Sequence, residues 1–202
     1  MNKKALIVID MQNDFCANGA LCVTEEDEIV DTVNDLIHRY DHVILTQDWH
    51  PANHKSFASN HDDKQPYETV LMRYGDQTLW PDHCVQGTFG AEFHPDLQIT
   101  SAELIIRKGT NPLIDSYSAF FENDRRTPTG LNGYLKDRGI THLTICGLAT
   151  DFCVAYSALD ARKAGFEVEV PLDACRAIDI NGSYDRMLKA MQRAGVELLM
   201  VA

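Results

Sequence analysis

The sequence has no apolar run near the roughly 18 residues that a membrane-spanning helix needs. The first apolar stretch, residues 5–9 behind Lys3 and Lys4, is cut by Asp10 and then Asp14. It is too short for the apolar segment of a secretory signal, so the expectation is a cytoplasmic protein. There is no CxxC pair, which weighs against a cysteine-rich metal or redox sensor. Internal repeats, low-complexity tracts and Gly/Ser linkers are also missing. Basic residues are scarce: 18 Lys+Arg stand against 30 Asp+Glu, a formal charge of −12. That balance argues against a nucleic-acid binder and against docking on anionic membrane, although net charge does not decide the charge of one pocket.

What is present fits one domain over residues 1–202. A chain of 202 residues with 45% hydrophobic residues can bury a sizeable core without disulfide staples. The six cysteines, Cys16, Cys22, Cys84, Cys146, Cys153 and Cys175, therefore read as reduced thiols, mostly small buried hydrophobes.

Short apolar and β-branched runs recur at 5–10, 42–48, 103–108, 142–147, 166–172 and 196–201. Near-continuous apolar strands suit a parallel sheet covered on both faces. Between them lie helical patterns. Thr24-Glu25-Glu26-Asp27 is close to a capping box, with Ile29, Val33, Leu36 and Ile37 following at helical spacing. Residues 131–138, 150–164 and 183–194 each run up to a glycine. The pattern predicts an α/β fold: a three-layer, doubly wound sandwich with a mostly parallel six-stranded sheet. Residues 49–101 break this rhythm and read as a loop-rich insertion, and long loops in compact domains usually carry function. A second insertion spans 109–128.

Ligands of open α/β sheets collect beyond the carboxyl ends of the strands. Asp10, Asp48 and Lys108 end the first three strands, and Cys153 follows the fourth in a turn entering a helix. A thiol there is stabilised as thiolate by the helix dipole, and the same backbone N–H groups can receive an oxyanion; a buried helix cysteine packed on the sheet is equally compatible with the position. Asp10 reads as a proton carrier or as a turn aspartate. Lys108 reads as a fixed positive charge or as a solvated lysine. Asp48 and His50, two apart in extended chain, point to one side, and His83 can add a second imidazole from the insertion. That donor set suits zinc, iron or manganese, with His54 a candidate fourth or outer partner, unless these histidines merely brace loops. Phe15 and Trp80 can stack on a planar ring or belong to the core.

Together these segments resemble the nicotinamidase/pyrazinamidase family of the isochorismatase-like cysteine hydrolases, over nearly the whole chain. ALIVIDMQNDFC (5–16) is similar to the family's opening strand. QDWHPANHKSF (47–57) and WPDHCVQGTFGAEFHP (80–95) look like its metal-binding segments. RKGTNPLIDSYSAFF (107–121) carries the lysine and GLATDFCV (147–154) the nucleophile. The resemblance implies that Asp10, Lys108 and Cys153 form the triad and that Asp48, His50 and His83 hold one divalent metal ion, zinc first. It implies that Phe15 and Trp80 sandwich the substrate ring. It also implies a cis peptide at Leu148–Ala149, with the N–H groups of Ala149 and Cys153 as the oxyanion hole. The implied activity is hydrolysis of nicotinamide, and of pyrazinamide, to the acid and ammonia through a cysteine thioester, in NAD salvage. The implied partner is the small amide itself, and the exposed helices of the fold are compatible with a homodimer.

Overall fold

The computed structural model describes residues 3–200. Its main sheet is built from β1 (Lys3–Ile9), β2 (Val43–Asp48), β5 (Leu104–Lys108), β6 (Ile140–Leu148), β7 (Glu167–Pro171), β8 (Cys175–Arg176) and β9 (Glu197–Leu199). Strand order is β5-β2-β1-β6-β7-β9, with β8 beside the end of β6, and every pairing is parallel. β2 is buried along its whole length and β1 from Ala5 onward, so both faces of the sheet centre are covered. From β1 the chain winds outward through β2 to β5, then crosses to β6 and winds the other way. The reversal falls between β1 and β6, which is where an open α/β sheet opens a crevice at its carboxyl edge.

The helices α1 (Val30–Ile37), α2 (Leu131–Asp137), α3 (Ala155–Lys163) and α4 (Ser183–Arg193) connect the strands. Gly139, Gly165 and Gly195 lie just beyond α2, α3 and α4, as the sequence pattern suggests. No helix among the described residues is long and apolar enough to cross a membrane.

The details differ from the sequence reading in four places. The main sheet has seven strands rather than six, because after a 3₁₀ turn at Leu172–Ala174 the chain rejoins the sheet beside Gly147 and Leu148. The capping box at Thr24 does not form. Glu25 takes a left-handed conformation (φ 60°), Glu26 is buried, and a 3₁₀ turn at Glu26–Ile29 delays the helix to Val30. The helix expected from residue 150 opens with a π-helical turn, Thr150–Val154, before α3. Finally, the insertion at 49–101 holds an antiparallel hairpin, β3 (Thr69–Met72) and β4 (Gly75–Thr78). It lacks an Asn-Gly or Asp-Gly turn signal, and neither face of β3 is fully buried, so the usual pattern is weak. The end of the last predicted strand, at residue 201, lies outside the described residues.

Candidate active site

The four strand-end residues converge at the carboxyl edge of β1, β2, β5 and β6. Lys108 Nζ lies 2.8 Å from Asp10 Oδ2, 2.5 Å from Asp48 Oδ1, 3.0 Å from the Ser116 carbonyl and 3.4 Å from Cys153 Sγ. Asp10, Lys108 and Cys153 are respectively 0%, 2% and 7% exposed. Asp10 Oδ1 accepts from the Thr46 hydroxyl at 2.6 Å. Its Oδ2 has the ammonium beside it but no other hydrogen-bond partner, which leaves a lone pair free for the Cys153 thiol. Asp10, Asp48 and Cys153 offer polar atoms that all lie within 4.8 Å of one another.

Burial sets the electrostatics. It pushes the Asp10 carboxyl up, and the Lys108 ammonium only partly offsets it. Burial also pushes the Cys153 thiol well above its ordinary range, with Lys108 opposing and the two carboxylates adding to the rise. At Asp48 burial is outweighed by Lys108 and His50, so its carboxyl sits well below the usual range. Burial works against the charge on Lys108, but Asp10 and Asp48 hold it firmly protonated. These shifts favour the proton on the Cys153 sulfur and the charged form of Asp48.

Asp48 couples this cluster to a second one. Its other oxygen, Oδ2, lies 3.6 Å from His50 Nε2 and 3.8 Å from His83 Nε2. His50 Nδ1 is 2.9 Å from the Gly109 carbonyl and His83 Nδ1 is 2.8 Å from the Pro81 carbonyl. A carbonyl only accepts, so each Nδ1 carries the hydrogen and each Nε2 can present a lone pair toward Asp48. Donors of a tetrahedral cation with bonds of about 2.1 Å stand about 3.4 Å apart, close to the spacings found. One ammonium against two buried carboxylates also leaves negative charge for a cation to offset. The residues fit a divalent metal ion.

Local sequence explains how these ligands are held. Gln12 gives its amide nitrogen to the carbonyls of Asp48 and Ala91 at 2.8 and 2.9 Å, and its amide oxygen accepts from Asp48 N–H at 2.7 Å. Asp14 Oδ2 accepts from Cys84 N–H at 2.6 Å, which fixes the loop carrying His83. Gly109 follows Lys108 with φ +67°, and a Cβ there would stand 2.3 Å from His50 Cε1. Only glycine lets the β5 exit pass this close to the His50 ring. His54 bonds Ser56 through Nδ1 at 2.7 Å, its ring centre is 4.4 Å from that of His50, and its Nε2 is buried without a partner. With His50 and Asp115 it makes a second close grouping of potential ligands.

A pocket opens onto both clusters. It is lined by Phe15, Trp80, Asp48, His83, Ala149 and Cys153, the residues anticipated from the sequence, and also by Leu21, Asp115, Tyr117, Phe152 and Ile178. The Leu148–Ala149 peptide is cis. Trp80 meets Phe152 edge-on at 4.9 Å, and Phe15 lies 5.5 Å from the His83 ring. Sequence reasoning missed Gln12, Asp14, Asp115, Tyr117 and Phe152. The first two sit directly beyond the β1 exit, a position that could have marked them. The others have partners far away in the chain.

The isochorismatase domain matches residues 4–202. A nicotinamidase of Acinetobacter baylyi is 55% identical over 97% of this chain and 92% of its own length. One from Escherichia coli is 50% identical over 89% of this chain and 86% of its own. Among solved structures, a nicotinamidase/pyrazinamidase of Acinetobacter baumanii matches with TM-score 0.98 and 55% identity, covering 99% and 97% of the two chains. A protein of L. infantum in complex with nicotinate matches at TM-score 0.86 and 37% identity, covering 98% and 93%. A pyrazinamidase of Pyrococcus horikoshii in complex with zinc matches at 0.80 and 37%, covering 98% and 99%. The chain belongs to the isochorismatase family.

Proposed function

We propose that this protein hydrolyses nicotinamide to nicotinate and ammonia through a thioester on Cys153. Its relatives at 55% and 50% identity are nicotinamidases, and the chain is one as well, an amide hydrolase. The observation that carries the chemical reading is the meeting of Asp10, Lys108 and Cys153 around one ammonium, at the wall of a pocket lined by aromatic rings.

Asp10 takes the thiol proton, and the Cys153 sulfur attacks the carboxamide carbon. The C–S bond forms and the carbonyl electron pair moves to oxygen. The N–H groups of Ala149 and Cys153 receive that charge; one such donor is worth about 2.7–4 kcal/mol in other enzymes. Asp10 returns its proton to the amide nitrogen, the C–N bond breaks, and ammonia leaves. Water then loses a proton to Asp10 and attacks the thioester. The C–S bond breaks, the acid is released, and the proton goes back to sulfur. Lys108 stays charged throughout, holding the two carboxylates and the passing thiolate in one place.

Asp48, His50 and His83 would hold the divalent cation, and zinc suits a carboxylate-and-imidazole set. When bound, it offers a coordination position to a pyridine nitrogen. Phe15 and Trp80 line the space a flat ring would fill, so the carboxamide is turned toward Cys153. We further propose that the setting is NAD salvage in the cytoplasm and that pyrazinamide is also a substrate. The test is ammonia release from nicotinamide beside benzamide, which lacks the ring nitrogen. Nicotinamide should be turned over far faster; equal rates would defeat the ring-anchoring part of the reading.

A further inference from the structure

The β3–β4 hairpin joins neither the main sheet nor the reaction described above, yet it sends one side chain against two residues that line the pocket. Gln77 is 1% exposed while its neighbours on β4 are not buried. Its amide nitrogen lies 2.8 Å from Asp115 Oδ2, 3.0 Å from the Tyr117 hydroxyl and 2.7 Å from the Thr78 carbonyl. Its amide oxygen accepts from the Tyr74 hydroxyl at 3.1 Å and from Asn123 Nδ2 at 3.2 Å. A carboxylate and a carbonyl only accept, so the nitrogen must be the end that faces Asp115. Tyr117 oxygen accepts in turn from Trp80 Nε1 at 3.1 Å. Asp115, Tyr117 and Trp80 all line the pocket.

One amide is therefore the common reference for three pocket residues carried on two separate loops. Its two N–H hydrogens are shared among the three acceptors and its oxygen takes two donors, and none of these bonds reaches the reacting sulfur, carboxylate or ammonium.

We infer that Gln77 is a positioning residue for ring binding: the hairpin sets it behind the pocket wall, where it orients Asp115 and Tyr117 directly and Trp80 through Tyr117. This rests on the nicotinamide reading of the site. A loosened wall binds the ring less well in the ground state and the transition state alike, so KM rises while kcat changes little.

The test combines kinetics with a substrate-free signal. Gln77→Leu should raise KM for nicotinamide roughly tenfold and leave kcat within about twofold, the pattern of lost uniform binding. Tyr117→Phe should do likewise. The double variant should cost less than the sum of the two single changes, because both remove the Gln77–Tyr117 bond. The two tryptophans, labelled with 5-fluorotryptophan, give a ¹⁹F signal each, assigned with Trp80→Phe. In Gln77→Leu the Trp80 signal should move and the Trp49 signal should stay. An unchanged KM, additive effects or an unmoved Trp80 signal would overturn the inference. If Gln77→Leu does not fold, Gln77→Met takes its place. Failure of both to fold would make Gln77 a folding residue, which also overturns it. If the unaltered protein releases no ammonia from nicotinamide, the functional reading falls, and the Trp80 signal still decides the role of Gln77.

Discussion

Lys108 balances charge at the site, because among the described residues its ammonium is the lysine or arginine group that touches both Asp10 and Asp48. Lys108→Met should leave two facing buried carboxylates. We expect it to abolish turnover and to cost about 3–5 kcal/mol in urea unfolding, the scale for breaking a buried ion pair. In the proposed mechanism Asp10 serves every proton step, so Asp10→Asn should lower kcat/KM by about 10²–10⁴, read from ammonia release. The proposed mechanism makes the same residue set the acid limb of the pH profile. Burial raises its carboxyl, and once protonated it cannot take the thiol proton. Activity should therefore fall as pH drops, with a midpoint above the ordinary carboxylate value near ~4. A midpoint at or below that value would contradict the role given to Asp10.

At the scale of elements, strand ends do the positioning. The apolar run of β1 stops at Asp10, β2 and β5 end on the charged residues Asp48 and Lys108, and these three strand-end residues are the ones that meet. This part was legible in the sequence because ligands of an open α/β sheet collect beyond the carboxyl ends of its strands, and a charged residue stands at each of these ends. The turn that carries Cys153 was legible only as a helix start. Its π-helical form depends on the Val154 N–H reaching the Ala149 carbonyl, a bond that no residue pattern announces. The hairpin was not legible, because its strands bury little and its stabilising contacts come from Asp115, Tyr117 and Asn123, far along the chain. The β5 exit offers a direct check of how elements hold ligands. Gly109→Ala puts a methyl group against the His50 ring at a left-handed position. It should cost about 1–3 kcal/mol of stability, seen as a lower melting temperature, and should reduce metal content. Full metal content with an unchanged melt would show that the exit does not need glycine.

For the whole molecule, the reversal of strand order between β1 and β6 brings Asp10 and Cys153 to one crevice, while the 49–101 insertion supplies the His83 loop and Trp80. The α/β class and the doubly wound order follow from strand and helix alternation alone. The wall does not, since Trp80, Tyr117 and Phe152 come from three segments that meet only in the folded chain. If Asp48, His50 and His83 hold the cation that anchors the ring, thorough chelation should remove nearly all turnover, and adding back a divalent metal should restore it. Undiminished activity in metal-stripped protein would refute that role.

The central claim is that sulfur and acyl carbon become bonded during turnover. Rapid quenching of the protein with nicotinamide, followed by mass spectrometry of the peptide containing Cys153, measures this directly. The account predicts a nicotinoyl group on Cys153 at early times, and neither adduct nor ammonia from a folded Cys153→Ala variant. Ammonia release by that variant at the unaltered rate would contradict it.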